Sequence, residues 1–244
     1  MNKYFILILM FLSIKIFPQE NSFSSNMILF DYNYQIPVTG ISDYFGPNSS
    51  IGLGFLQNNN DFLIGADVNF MFGDNIKNDS IFSLISTEGG FLINSSGELD
   101  QVLLYERGYN THVLFGRSIR MEENHLSGIY VYFGLGYLQY KIKLETDKTT
   151  LPQIDDDYIK GYDQFTNGLS SKLCLDYMYF DKRNSIKFHV GLDLINALTV
   201  NRRLYNFSEM TTIDNRIKLD QLVSLRFGII IPINRNNESR FHYY

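Results

Sequence analysis

The feature that most constrains this chain is an apolar/polar alternation with a period of two that recurs in eight separate segments. Successive side chains of a strand point to opposite faces, so this period predicts strands with one greasy and one polar side. Val223, Leu225, Phe227, Ile229, Ile231 and Ile233 share one face, opposite Ser224, Arg226 and Gly228. The same pattern runs through Ile28–Ile36, Ile51–Phe55, Phe62–Phe72, Tyr109–Gly116, Ile129–Tyr137, Leu169–Tyr179 and Ile186–Leu194. No stretch beyond residue 20 stays apolar for 18 residues, so a spanning helix is not expected.

The connections choose between all-β architectures. Asn58-Asn59-Asn60, roughly Arg120–Ser127, and Asp181-Lys182-Arg183-Asn184 are short links. The others, about 38–49, 74–108, 146–166 and 201–220, are long, and short alternates with long along the chain. A β-sandwich also gives alternating strands, but it does not require that asymmetry. Outer-membrane barrels do show it, with short periplasmic turns and long external loops. The expected fold is therefore an all-β, eight-stranded antiparallel up-and-down transmembrane barrel. Tyr32, Tyr34, Phe72, Tyr109, Tyr137, Tyr177 and Tyr179 fall near strand ends on the apolar face, where an amphipathic ring suits a headgroup level. From Gln139 to Leu144 the apolar parity switches, which a bulge or an exit from the membrane explains.

The N-terminus reads as an export signal. Lys3 precedes an apolar run from Tyr4 to Ile14, shorter than the ~20 residues of a membrane helix. Residues 1–19 are assigned as a signal peptide cut near Gln19, although no Ala-x-Ala site is present, and an uncleaved anchor helix is the alternative. Residues 20–244 form the barrel domain, with a polar tail from about 234 that ends in Phe241-His242-Tyr243-Tyr244. Without residues 1–19 the chain carries 19 basic and 26 acidic residues, which argues against a nucleic-acid partner. The single Cys174 cannot form an internal disulfide, and one Cys with four His gives no zinc spacing, so no metal or cofactor is expected.

Charged residues on the polar faces are the candidate site. Asp31, Asp67, Lys172, Asp176, Lys187, His189, Asp193 and Arg226, with His112, all point into the predicted lumen. Eight strands enclose a space just wide enough for side chains. Charges there must pair or their desolvation is prohibitive, so a salt-bridged plug is expected, with a proton relay or catalytic site as the alternative. His112, His125, His189 and His242 are the only candidate bases, His189 with Asp193 has no serine at a telling spacing, and no G-x-S-x-G occurs, so no catalytic residue is assigned. Asp155-Asp156-Asp157 lacks the EF-hand pattern and reads as a solvated loop. Residues 78–85 read as a capped short helix, Gly89-Gly90 and Ser95-Ser96-Gly97 as turns, and Glu106-Arg107 as an ion pair.

With the strands placed, the sequence resembles the small outer-membrane β-barrel proteins of Bacteroidota. The Tyr-rich strands, Pro18-Gln19-Glu20 and Tyr243-Tyr244 carry the likeness. So do Leu104–Tyr109 (LYERGY) and Asn201–Phe207 (NRRLYNF). This type of barrel is not tied to one activity; for want of a catalytic signature the expected role is a non-enzymatic envelope component. Some similar barrels serve as accessory parts of secretion and gliding machinery. The expected partners are outer-membrane lipid and, through the long loops, other envelope proteins. A narrow pore or a carrier of small hydrophobic molecules is the alternative.

Overall fold

The computed structural model describes residues 24–77, 81–121, 126–146, 151–154, 158–181 and 187–233. The signal segment, the tail from 234, His125, His242 and Asp155–Asp157 lie outside the described residues. In chain order the strands are β1 (Ser24–Thr39), β2 (Asn48–Asn59), β3 (Phe62–Gly73), β4 (Leu92–Ile93), β5 (Leu99–Asp100) and β6 (Val102–Arg120). Then follow β7 (Gly128–Thr146), β8 (Thr166–Phe180), β9 (Lys187–Asn201), β10 (Tyr205–Asn206), β11 (Thr211–Thr212) and β12 (Lys218–Ile233). The eight long strands close into one antiparallel barrel in the order β1-β12-β9-β8-β7-β6-β3-β2.

Closure leaves no unpaired sheet edge, the condition for a strand-built wall in lipid. Following cross-strand partners once around, Ile28 leads through Phe55, Ala66, Val113, Leu135, Ser171, Asn196 and Gln221 to Thr39. The path returns near the top of β1 rather than to its start, the stagger of a barrel with tilted strands. One register shift falls between Pro37 and Thr39, where proline has no N–H for the ladder. The strands overrun the predicted segments, chiefly at the long-loop end. At the short-turn end the second strand also continues, to Asn59, and the turn centres on Asn60 (φ 50°) and Asp61 (φ 68°) rather than on Asn58–Asn60. Two left-handed residues make a tight hairpin that follows the strand twist. Asp61 is gripped by Arg120 Nε at 2.6 Å and Nη2 at 3.1 Å, which ties this turn to β6.

The outward face is apolar over a broad belt. Phe133 is 44% exposed and Ile229 58%, while Val190 is half-buried; none of them lies between stacked sheets. Aromatic contacts cluster near its two rims. Phe70–Phe72 and Tyr109–Tyr137 lie toward the long loops, and Tyr179–Phe188 toward the short turns. On β7 the outward series Ile129, Val131, Phe133, Leu135, Tyr137 gives way to Gln139, Lys141 and Lys143.

The interior corrects the expectation of a polar lumen throughout. Near the short turns it is filled by Met27, Leu29, Leu56, Leu63, Leu114, Tyr130, Tyr132, Cys174, Met178, Phe180 and Ile230. Near the long loops it is filled by Met71, Leu138, Tyr140, Ile142, Ile195, Ala197 and Leu222, continuous with loop residues. The parity switch in β7 is thus an exit from the belt and not a bulge. Its register with β6 runs unbroken from Val102↔Thr146 to Arg120↔Gly128. Above the belt the outside meets water, so the inside becomes an ordinary apolar core.

The long loops extend that core into a cap. Ile41 and Phe45 of the first loop and Ile76, Ile81 and Leu92 of the second are buried in it, and Phe45 bridges to Ile76. The described part of the predicted helix, residues 81–85, is a single turn in which the N–H groups of Ile85 and Ser86 both donate to Phe82 O. One turn before a Gly-Gly pair is too short to propagate. β4 and β5 form a hairpin closed by Gly97 (φ 80°), with Asn94 Oδ1 accepting from the N–H groups of Ser96 and Glu98. Asn201–Phe207 stitches the fourth loop to the third. Asn201 Nδ2 donates to Gln164 at 3.0 Å, Arg202 Nε to Asn167 at 2.7 Å, and Arg203 clasps Asp163 with both arms while lying over the Phe165 ring. Phe207 N–H donates to Gly161 O at 3.0 Å, and its ring packs on Tyr162.

A Cβ at position 161 would sit 2.0 Å from the Phe207 ring. Gly161→Ala is therefore expected to loosen the cap by about 1–3 kcal/mol of overpacking. Limited proteolysis should cut within residues 151–165 and 202–217 faster, while the barrel keeps its unfolding midpoint.

Candidate functional site

Between the two apolar fillings lies one buried polar layer. Period-two alternation aims Asp31 (β1), Asp67 (β3), His112 (β6), Lys172 and Asp176 (β8), His189 and Asp193 (β9) and Arg226 (β12) inward, and all are buried. Lys172 Nζ lies 2.6 Å from Asp67 and 3.0 Å from Asp193. Arg226 Nη2 donates to Asp176 and Tyr132 Oη and lies 3.3 Å from Asp193, with Nη1 3.9 Å from Asp31. Tyr132 Oη donates in turn to Asp176. His189 Nε2 lies 2.7 Å from Asp31, and His112 Nδ1 lies 3.3 Å from Asp67. Two cations thus bridge four carboxylates from strands that face one another across the barrel.

The layer continues as neutral hydrogen bonds. Asn33 Nδ2 donates to Ser50 and Asn69, and Asn69 Nδ2 to Asn110. Glycines make room for the larger groups. A Cβ at Gly191 would stand 1.6 Å from Asp176 Oδ1, and one at Gly228 would stand 2.2 Å from His189 Nε2.

Lys187 is placed apart from this network. It is the first residue of β9, half-exposed at the short-turn rim, and makes no ion pair with the other seven predicted residues. Glu106 and Arg107 do not pair through their side chains, because adjacent strand residues point to opposite faces. Glu106 turns inward to accept from Asn48 Nδ2 at 2.9 Å, whereas Arg107 lies outside over the Tyr105 ring. Sequence reasoning missed Tyr132 and Ser170 as partners. Tyr132 carries a usable signal, an aromatic hydroxyl on the polar face of β7. Ser170 has none, since it meets His112 only through the curvature of the closed sheet.

Ser170 Oγ lies 2.9 Å from His112 Nε2, and His112 Nδ1 faces Asp67. The order serine, imidazole, carboxylate is that of an activated nucleophile. Its surroundings oppose that use. All three groups are buried, and Asp67 is held by Lys172 as well. The apolar filling of Leu138, Ile195, Ala197 and Leu222 separates the layer from the loop end. No group of three or more His, Cys, Asp or Glu among the described residues is arranged to hold a metal ion.

Removing one partner from a buried ion pair strands the other. Arg226→Met is expected to lower barrel stability by about 3–5 kcal/mol, and Arg226→Met with Asp176→Asn should recover part of it. Urea midpoints in detergent would show both effects. Ser170 should stay unlabelled by a fluorophosphonate in the folded barrel. Labelling that disappears in Ser170→Ala would mean that substrates reach the lumen.

No protein-family model matches this chain, and no curated protein matches its sequence. Among solved structures it is similar to Neisserial surface protein A, at 10% identity and TM-score 0.40 over 86% of this chain and 98% of that one. It is also similar to Ail, the attachment invasion locus protein of Yersinia pestis, at 10% identity and TM-score 0.37 over 85% of this chain and 97% of that one. A second Ail structure, in complex with the heparin analogue sucrose octasulfate, gives 10% identity and TM-score 0.36 over 86% and 99%.

Proposed function

We propose that this chain is a non-enzymatic outer-membrane barrel with a closed lumen, whose folded external cap is an interaction surface for other envelope components. The observation that carries this reading is the vertical layering of the interior. A paired charge layer lies between two apolar fillings, and the outer filling is continuous with the buried side chains of the long loops. Loops that share a core with the barrel present a fixed surface rather than a gate. The apolar outer belt with aromatic rims supports a place in lipid. An eight-stranded wall around filled space gives no support to the pore alternative. One version of this role, suggested by the resemblance to Bacteroidota barrels, is an accessory subunit of a secretion or gliding assembly.

Fractionation should place the protein in the outer membrane, with gel mobility that shifts on heating. In planar bilayers it should give no steady conductance; discrete channels abolished by a lumen substitution would restore the pore reading. Cross-linking from the cap in intact cells should capture an envelope protein, and deletion of residues 81–100 should remove that product without loss of the heat-modifiable barrel.

A further inference from the structure

Arg107 of β6 and Lys141 of β7 are direct cross-strand partners on the outward face. Like charges set opposite one another destabilise an antiparallel pair. Among the described residues no carboxylate offsets them at ion-pair distance. Glu106 faces the lumen, and Glu145, on the same outward face, pairs with Lys143 and lies close enough to Arg107 to feel its charge without an ion-pair contact. Lys143 lies two residues above Lys141 on the same face, opposite Tyr105. Pairing of β7 with β8 ends at Tyr140↔Thr166, so Lys141 and Lys143 stand on a stretch with β6 as its only partner strand and are exposed. Arg107 is half-buried, its guanidinium over the Tyr105 ring at 4.9 Å and its Nη1 donating to Glu106 O at 2.7 Å. Directly below lie Tyr109 and Tyr137, the aromatic rim of the apolar belt.

Height, charge and orientation specify the occupant. Aromatic rims mark the headgroup level, and these cations stand just beyond it. A ligand there carries acyl chains against the apolar wall and negative charge at the rim. Planar guanidinium and ammonium groups side by side match phosphate oxygens. We propose that Arg107 and Lys141 bind a phosphate group of an anionic lipid in the outer leaflet, beside a Lys143 that Glu145 already pairs. This rests on the outer-membrane reading and names the lipid chemistry of its wall.

The test reconstitutes the full-length barrel in phosphatidylcholine nanodiscs and titrates bisphosphorylated lipid A, with bound lipid counted by native mass spectrometry. Arg107→Gln with Lys141→Gln should weaken the apparent Kd about thirty-fold, from about 1 kcal/mol per cation and tenfold per 1.4 kcal/mol. Lipid A stripped of its phosphates should bind the unaltered barrel equally weakly, a comparison that needs no variant to fold. Lys218→Gln, a loss of charge on β12, should change nothing. Equal binding of both lipids, or full displacement by inorganic phosphate at matched concentration, would overturn the site. Failure of the unaltered barrel to insert, read separately by heat-modifiable mobility, would overturn the outer-membrane reading itself.

Discussion

The structure depends on keeping charge in a space from which water is excluded. Lys172 and Arg226 each reach more than one carboxylate, and Asp67, Asp176 and Asp193 are each met by a cation or hydroxyl. An unpaired buried charge costs several kcal/mol, and a pair without good geometry gains little over an apolar substitute. The layer is therefore weak evidence of stability taken by itself. Its bearing is on register, because these charges face one another only when every contributing strand keeps its place. A one-residue slip of any contributing strand would turn its charge toward the greasy exterior.

The wall and the filling follow different rules, and the sequence discloses them unequally. Alternation in Val223–Ile233 or Phe62–Phe72 is legible because outside and inside differ in polarity at belt height. The same logic fails in Leu138–Ile142 and Ile195–Ala197, where the barrel rises past the belt. There the outward positions turn polar and the inward ones apolar, so the period persists with its sign reversed. The strands accordingly run longer than the belt alone would indicate. Eight of the nine predicted lumen residues, His112 included, meet in one layer because they share both face and height. Lys187 shares the face and lies at another height, a coordinate that local periodicity does not encode.

Partners across the lumen were harder to read for a related reason. His112 and Ser170 come from β6 and β8, strands separated in the ring by β7, and meet through curvature. The small residues were the indirect clue. Gly191 and Gly228 sit where a side chain would overlap the Asp176 carboxylate or the His189 ring. A polar strand face punctuated by glycine thus signals large neighbours as much as loose packing. Asn201–Phe207, prominent in the sequence for its two arginines, serves to hold two loops together through Asp163, Gln164 and Asn167.

The bonds between β12 and its distant partners bear on how such a molecule is made. Arg226 enters with the final strand, while Asp31 belongs to the first and Asp176 to one two places away in the ring. Arg226 already meets Asp176 and Asp193 within the sheet, whereas Asp31 has neither His189 nor Arg226 until the two ends of the chain zip together. Closing the seam therefore brings the last carboxylate of the layer to its partners as the lumen loses access to water, and an open cylinder would leave Asp31 hydrated.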